Sequence, residues 1–573
     1  MSEVSTAAAA GPTGLSAPSL RWATTMRSLR TPWPWLTLAL LALLVVFLLL
    51  PLVQVLIGSF SGISRDGRSG WAIVAAEPRY LHAVLNTIML GVVVTLFALV
   101  IGVPLAWFTA RFDFPGKGIV AVLPLVTIVV PEVIAAQTWL MMVGNNGLVT
   151  RALAESGIEL PSFYGWTGLI TVMTFTYYTY VYIGTLAAIR GFDVQLEEAA
   201  QSLGTSPAAS RFKVMLPVVL PAVLASALLV FTLVVGNFAV AMVLSNRVPL
   251  LSVLTYQATV SEVGSDPALQ STLATLSVAI VMLALFAQRR IVARGRREVV
   301  QGRGAVAQRL AGWRGALLGT AAGAVVAVSL LPVASIVVGA FTQARGPVMR
   351  WGQWTTAHLE RVFTRAIDPL LNTLTYAAIA TAIGITLATV ISVLVVKKRN
   401  AATPLLDYLT ALPLALSGTV IGIGLLMTFN TGWLSLTGTG AIIVLAYVVR
   451  RLPFGTRNAS STLYNIPDSI EEASISLGVP PLRTFLRVVL PLMAPAIAAA
   501  AVLTWTTTVA ELSASIIVYS GGRETMPIQI FRLIDSGLMA QASAYGLLLI
   551  AVIVLPIVLA TRFARIDLFA SRA

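Results

Sequence analysis

One stretch of this chain occurs twice, and each copy runs straight into a long apolar segment. At a constant offset of 274 residues, Glu197, Glu198, Ala199, Ser202, Leu203, Gly204, Pro207, Val214, Leu216, Pro217 and Pro221 each meet an identical residue. The partners are Glu471, Glu472, Ala473, Ser476, Leu477, Gly478, Pro481, Val488, Leu490, Pro491 and Pro495. A second echo, Leu85-Asn86-Thr87 against Leu371-Asn372-Thr373, heads an apolar run in each half. Repetition on this scale divides the chain into two equivalent units, so whatever it folds into must be buildable twice.

The apolar segments decide the medium. Only 11% of the residues are charged and 57% are hydrophobic, against about 25% charged in a soluble domain. Such a chain cannot cover itself with a wetted surface and must be a polytopic membrane protein. Runs of about 20 apolar residues without period-two alternation select helices over a barrel. The net charge of +15 would suggest nucleic acid in a soluble protein. Here the basic residues gather at one end of the spans, where they set orientation in the lipid bilayer, and no nucleic-acid partner is implied. Cysteine is absent and His82 and His358 are the only histidines. Disulfides, thiolate metal sites and cysteine nucleophiles are excluded, and no metal site is expected.

Hydropathy predicts about twelve spans, near 34–57, 83–109, 118–143, 165–189, 215–244, 271–288, 313–341, 368–396, 404–429, 438–463, 489–519 and 541–562. Each is long enough for a hydrocarbon core of about 30 Å. Arg111 and Lys117, Arg190 with Arg211 and Lys213, the run from Arg289 to Arg314, Lys397 to Arg399, Arg483 with Arg487, and Arg562 with Arg565 all fall on one side. The positive-inside rule makes that side, and both termini, cytoplasmic. Six spans per half is an even number, so the copies share one topology and form a parallel repeat. The expected organisation is a disordered basic tail over 1–33, a first six-helix repeat over 34–288, a basic cytoplasmic linker over 289–312 and a second repeat over 313–573. The repeated polar stretches, 193–214 and 467–488, face the cytoplasm.

Taken as an object, one copy is a short helix. Asp193 or Asp468 can cap its start, and Asp468 with Glu471 has capping-box spacing. Gly204 or Gly478 ends it at C′, and Val-x-Leu-Pro opens the next span with proline in the first turn. A short helix with small residues on one face, held between two spans, suits docking into a partner's groove; a capped interfacial helix with solvated glutamates is the plainer alternative. Two copies at the same spacing favour docking.

These residues carry a resemblance. Glu198-Ala199-Ala200-x3-Gly204-x9-Val214-x-Leu216-Pro217 resembles the EAA loop of type I ABC importer membrane subunits. Glu472-Ala473-Ser474-x3-Gly478-x9-Val488-x-Leu490-Pro491 is similar, with serine for the last alanine. The resemblance implies an all-α polytopic membrane protein of type I ABC importer fold, its pair of membrane subunits fused in one chain. It makes Glu197, Glu198, Ala199, Gly204, Glu471, Glu472, Ala473 and Gly478 the ATPase-coupling residues. It implies two copies of a cytoplasmic ABC ATPase and an extracytoplasmic solute-binding protein, in a bacterial cytoplasmic membrane. The residues agree on the division of labour. A phosphate-binding loop needs Gly-Lys-Ser/Thr, whereas Gly116-Lys117 is followed by Gly118. This chain is then no enzyme and binds no cofactor, ATP and Mg residing on the partner subunits.

Within the spans, polar residues are functional candidates because they are costly there. The 274 offset pairs Asn237 with Glu511 and sets Arg450 and Arg451 against Thr176 and Tyr177, while Glu132 follows Pro131 in the third span. Glu511, Asn237, Arg450, Arg451 and Glu132 are expected to line the translocation pathway, with Glu511 and the arginine pair facing the junction of the halves. The alternatives are inner-end anchors for the arginines, a surface or arginine-pairing role for Glu511, and a helix-end role for Glu132. Arg451-Leu452-Pro453-Phe454 and Glu511-Leu512-Ser513-Ala514-Ser515 look like ferric-iron permeases, whereas Phe231 to Val235 before Asn237 is similar to the aminoethylphosphonate branch. Ferric iron is the expected cargo, with a phosphonate, organophosphate or thiamine-type solute as the alternative. An ion-coupled secondary transporter would explain the spans but not the two loops, and an integral-membrane enzyme lacks a visible nucleophile–base set.

Overall fold

A computed structural model describes residues 32–563 apart from 247, 261–264, 296–306, 311, 347 and 433. Most of the tail read over 1–33 and much of the linker read over 289–312 thus lie outside the described residues. Among the described residues, eight helices are single runs long and apolar enough to cross a membrane, and two bent pairs bring the number to ten. Trp166–Arg190 and Gly440–Tyr464 complete twelve, each 25 residues long and so about 37 Å at 1.5 Å per residue. Their threonines, tyrosines and arginines lower their hydropathy without shortening them.

Three features differ from the expectation. The third and ninth spans are broken: Lys117–Val129 meets Glu132–Glu155 at 106°, and Thr403–Ala415 meets Gly418–Phe429 at 114°. Val130, just ahead of Pro131, is extended, as the clash between proline and its predecessor favours. At the second break Leu416 is extended and Ser417 caps the new helix by accepting from the Val420 amide. The fifth and eleventh spans begin earlier than read, at Pro207 and Pro481, and stop earlier, at Val235 and Val509. Each contains a π-turn, Arg211–Met215 and Phe485–Val489, directly before Pro217 or Pro491. The wider turn accommodates the proline inside a continuous helix, so the proline does not open the span. The sixth span's helix continues to Gly295, into the segment read as linker.

The halves are laced together. The first span, Trp33–Ser61, packs on Gly418–Phe429 of the second half, where a Cβ at Gly424 would lie 2.9 Å from the Pro51 carbonyl oxygen. Reciprocally, Trp313–Phe341 packs on Glu132–Val143 of the first half, and Tyr178 and Ser329 hydroxyls meet at 3.0 Å. The main core cluster accordingly mixes Ile134, Tyr178 and Phe238 with Ile336, Leu425 and Tyr447. Neither half buries its apolar faces alone.

Candidate functional site

Both repeated loops fold alike. Gln195–Ser202 and Asp468–Ser476 are short helices, each ended by a glycine in the left-handed region, Gly204 at φ +89° and Gly478 at φ +84°. The Gly204 amide donates to Gln201 and the Thr205 amide to Ala200; Gly478 and Val479 repeat this on Ile475 and Ser474. These are Schellman closures, which need a residue that tolerates positive φ. The capping box read at Asp468 does not form. Pro467 precedes the helix without a side-chain cap, and Asp468 and Glu471 turn instead to Lys397 at 2.5 Å and Lys398 at 3.2 Å. Hydrogen bonding to the Lys397 ammonium holds the Asp468 carboxyl below the usual carboxylate range. Asp193 also stays outside its helix, accepting from the Gln195 amide at 3.0 Å.

The paired glutamates have different surroundings. Glu197 is buried and bonds Arg111, at the C-terminal end of the second span, at 2.8 Å. Glu471 makes the equivalent tie to Lys398, just past the eighth span. Glu198, Ala199, Glu472 and Ala473 are exposed. Beside them stand apolar side chains at the repeat offset: Leu203 is 88% exposed and Leu477 85%, Phe212 71% and Leu486 50%. Each loop therefore presents an apolar, unpaired face and is anchored to its own bundle through its first glutamate.

A second shared device holds the far ends of the spans. Thr87 Oγ1 accepts from the Leu251 amide at 3.0 Å, and Thr373 Oγ1 from the Met526 amide at 2.7 Å. These amides open the helices Leu251–Val260 and Met526–Asp535. Asn86 and Asn372 donate to carbonyls in the preceding segments, at Pro249 and at Gly522 and Glu524. The repeated Leu-Asn-Thr was the signal; neither threonine was singled out from the sequence.

The intramembrane candidates assemble at the helix breaks. Asn237 and Glu511 lie just past the ends of their long helices, and each accepts from an amide at the entry to the short helix that follows: Asn237 Oδ1 from the Val240 amide at 2.9 Å and Glu511 Oε1 from the Ala514 amide at 3.1 Å. In the first half, Asn237 Nδ2 donates to Glu132 and to the Tyr177 hydroxyl, both at 2.7 Å, and Tyr177 donates to Glu132 at 2.5 Å. In the second half, Glu511 is 3% exposed and accepts from Arg450 at 2.6 Å and Arg451 at 2.5 Å. Both arginines are in the middle of Gly440–Tyr464, not at either end, and Glu511 pairs with them. Tyr177 matches Arg451 at the repeat offset, a signal present in the sequence but not followed to a site. Gly418 was missed: a Cβ there would fall 1.6 Å from Arg450 Nη1, so the glycine makes room for the guanidinium. The breaks of the two halves adjoin, a Cβ on Gly236 reaching 3.6 Å from Ser417.

Two six-span repeats laced across a common core, with paired loops beyond one end of the spans, define a membrane transport subunit built as a fused dimer. The chain belongs to the family described as binding-protein-dependent transport system inner membrane component, which matches residues 69–298 and 380–566. It is an ABC importer permease with both copies in one polypeptide. The probable ABC transporter permease protein y4fN of Sinorhizobium fredii is 29% identical over 87% of this chain and 90% of its own. The ferric transport system permease protein FbpB of Actinobacillus pleuropneumoniae is 26% identical over 90% of this chain and 76% of its own. A putative 2-aminoethylphosphonate transport system permease protein, PhnV of Salmonella typhimurium, is 30% identical over 41% of this chain and 89% of its own.

Proposed function

We propose that this permease carries ferric iron inward across a bacterial cytoplasmic membrane by alternating access, with both termini on the cytoplasmic side. The observation that carries the cargo is coverage. The relative named for ferric transport aligns with 90% of this fused chain, whereas the one named for aminoethylphosphonate aligns with 41%.

In this reading two copies of a cytoplasmic ABC ATPase, holding ATP and Mg, dock on the two loops. Leu203 and Phe212, with Leu477 and Leu486, supply the apolar contact, and Glu198, Ala199, Gly204, Glu472, Ala473 and Gly478 its frame. Glu197 and Glu471 pass the movement on, because each is tied to the inner end of another span in its own half. A solute-binding protein delivers the cargo from outside. Asn237, Glu132, Glu511, Arg450 and Arg451 sit where the broken spans of the halves meet, the natural place for a gate.

The phosphonate-class reading keeps the same machinery; its support is the 30% identity to the aminoethylphosphonate permease. The test is reconstitution of the chain with its ATPase and binding protein in liposomes, followed by uptake of radiolabelled iron and of 2-aminoethylphosphonate in parallel. Iron accumulation that requires ATP and survives collapse of ion gradients is the expected result. Accumulation of the phosphonate alone refutes the cargo, and uptake driven by an ion gradient without ATP refutes the coupling.

A further inference from the structure

The two carboxylates of the central site differ in their partners. Glu511 is neutralised by two guanidiniums. Glu132 has no ion pair among the described residues; its oxygens accept only from the neutral Tyr177 hydroxyl and Asn237 amide. We propose that Glu132 and Tyr177 form an oxygen-donor site occupied in transit by a hard, highly charged cation, ferric iron in the reading above, on which this inference rests.

Four observations converge. The first concerns cost. A cation entering here gains a carboxylate by displacing the Asn237 amide group, and breaks no ion pair. An anion would have to take Arg450 and Arg451 from Glu511, at 2.6 and 2.5 Å, leaving that carboxylate buried without a counter-charge. The second is donor chemistry. A carboxylate and a phenol meeting at 2.5 Å present hard oxygens, the ligands hard cations select. On coordination the phenol proton passes to a hydroxide or water carried by the cation, which leaves as water or hydronium.

The third is access. Glu132 is the first residue of the helix after the third-span break and is partly exposed, whereas Tyr177 and Asn237 are buried. The carboxylate is thus the reachable arm, beside the seam where Gly236 approaches Ser417. The fourth is asymmetry. At the corresponding helix start of the second half stands Gly418, its space filled by Arg450, so the fused dimer has one such site, not two. Arg450 and Arg451 together exceed their partner Glu511 by one positive charge. That neighbouring repulsion favours release, as a transport site requires.

The test uses the full chain with its ATPase in lipid nanodiscs, titrated with ferric nitrilotriacetate. A ferric–phenolate bond gives a visible charge-transfer band. The band is expected in the wild type and in Tyr180→Phe, which removes the hydroxyl of a neighbouring tyrosine whose ring lies 6.2 Å from that of Tyr177, and lost in Tyr177→Phe, which keeps the ring and so the packing. In liposomes, Glu132→Gln should lower iron uptake at least tenfold, with partial recovery in Glu132→Asp. A wild type that transports iron without the band, a band that survives Tyr177→Phe, or Glu132→Gln transporting at the wild-type rate overturns this site while leaving the ferric reading intact. A wild type that transports no iron overturns that reading, and the site with it.

Discussion

Gly204 and Gly478 permit a test in which backbone strain is separated from steric clash. Both sit at strongly positive φ, +89° and +84°, and both close a Schellman motif. No heavy atom lies within 4 Å of a Cβ added at either position. The Cβ of a replacement residue therefore meets open space, and valine acts chiefly through the backbone. Forcing an L-residue into the left-handed region costs about 1–2 kcal/mol, with β-branched side chains at the upper end. At about 2 kcal/mol the closed helix end is depopulated roughly thirty-fold in each loop, and the two loops, far apart in the chain and sharing no partner, should behave independently. The spans are untouched, so insertion and thermal unfolding should stay near wild type. With the ATPase bound in liposomes, the double variant Gly204→Val/Gly478→Val should hydrolyse ATP while cargo uptake falls by more than tenfold. Asparagine at both sites, which tolerates positive φ, should restore most of the uptake. Unimpaired transport in the valine double variant would refute the coupling role of the loops.

Glu511→Gln strips the counter-charge from two arginines in mid-span and should destabilise the chain by about 3–5 kcal/mol, seen as a lowered unfolding temperature in detergent. Thr87→Val and Thr373→Val keep the shape but orphan the Leu251 and Met526 amides. Each should cost about 1–3 kcal/mol and speed hydrogen exchange at those two amides. Asp468 has a depressed carboxyl pKa because of Lys397. Its tie therefore contributes at every pH above the ordinary carboxylate range and is lost only as pH falls through the depressed value. Exchange protection over 468–476 should hold through mildly acidic pH and drop below it, and Asp468→Asn should remove this pH dependence.

Much of the architecture is legible in one dimension because membrane spans and repeats are local signals. Twenty apolar residues state their medium without reference to any neighbour, and an offset of 274 states the pseudo-symmetry. The Schellman glycines belong here too, since left-handed backbone at a helix end is a property of a few adjacent residues. The capping box at Asp468 failed for the opposite reason. Its carboxylate had a choice between a local amide and a lysine 71 positions away, and the ammonium won through charge.

What only the tertiary structure decided is which polar groups satisfy one another inside the lipid. The sequence determined twelve helical runs, two alike halves, the two loops and a set of costly intramembrane residues. It could not show that the third and ninth spans break at their middles, that each half's first span packs on the other half, or that Glu511 takes both arginines while Glu132 is left with neutral donors. The pairings of Glu132 and Glu511 join residues 45 to 105 positions apart, and the lacing of the halves joins residues farther apart still, as Tyr178 to Ser329 at 151 positions. In a medium without water an unpaired buried charge is costly, and which partner it finds is decided by the packed bundle, not by any one segment.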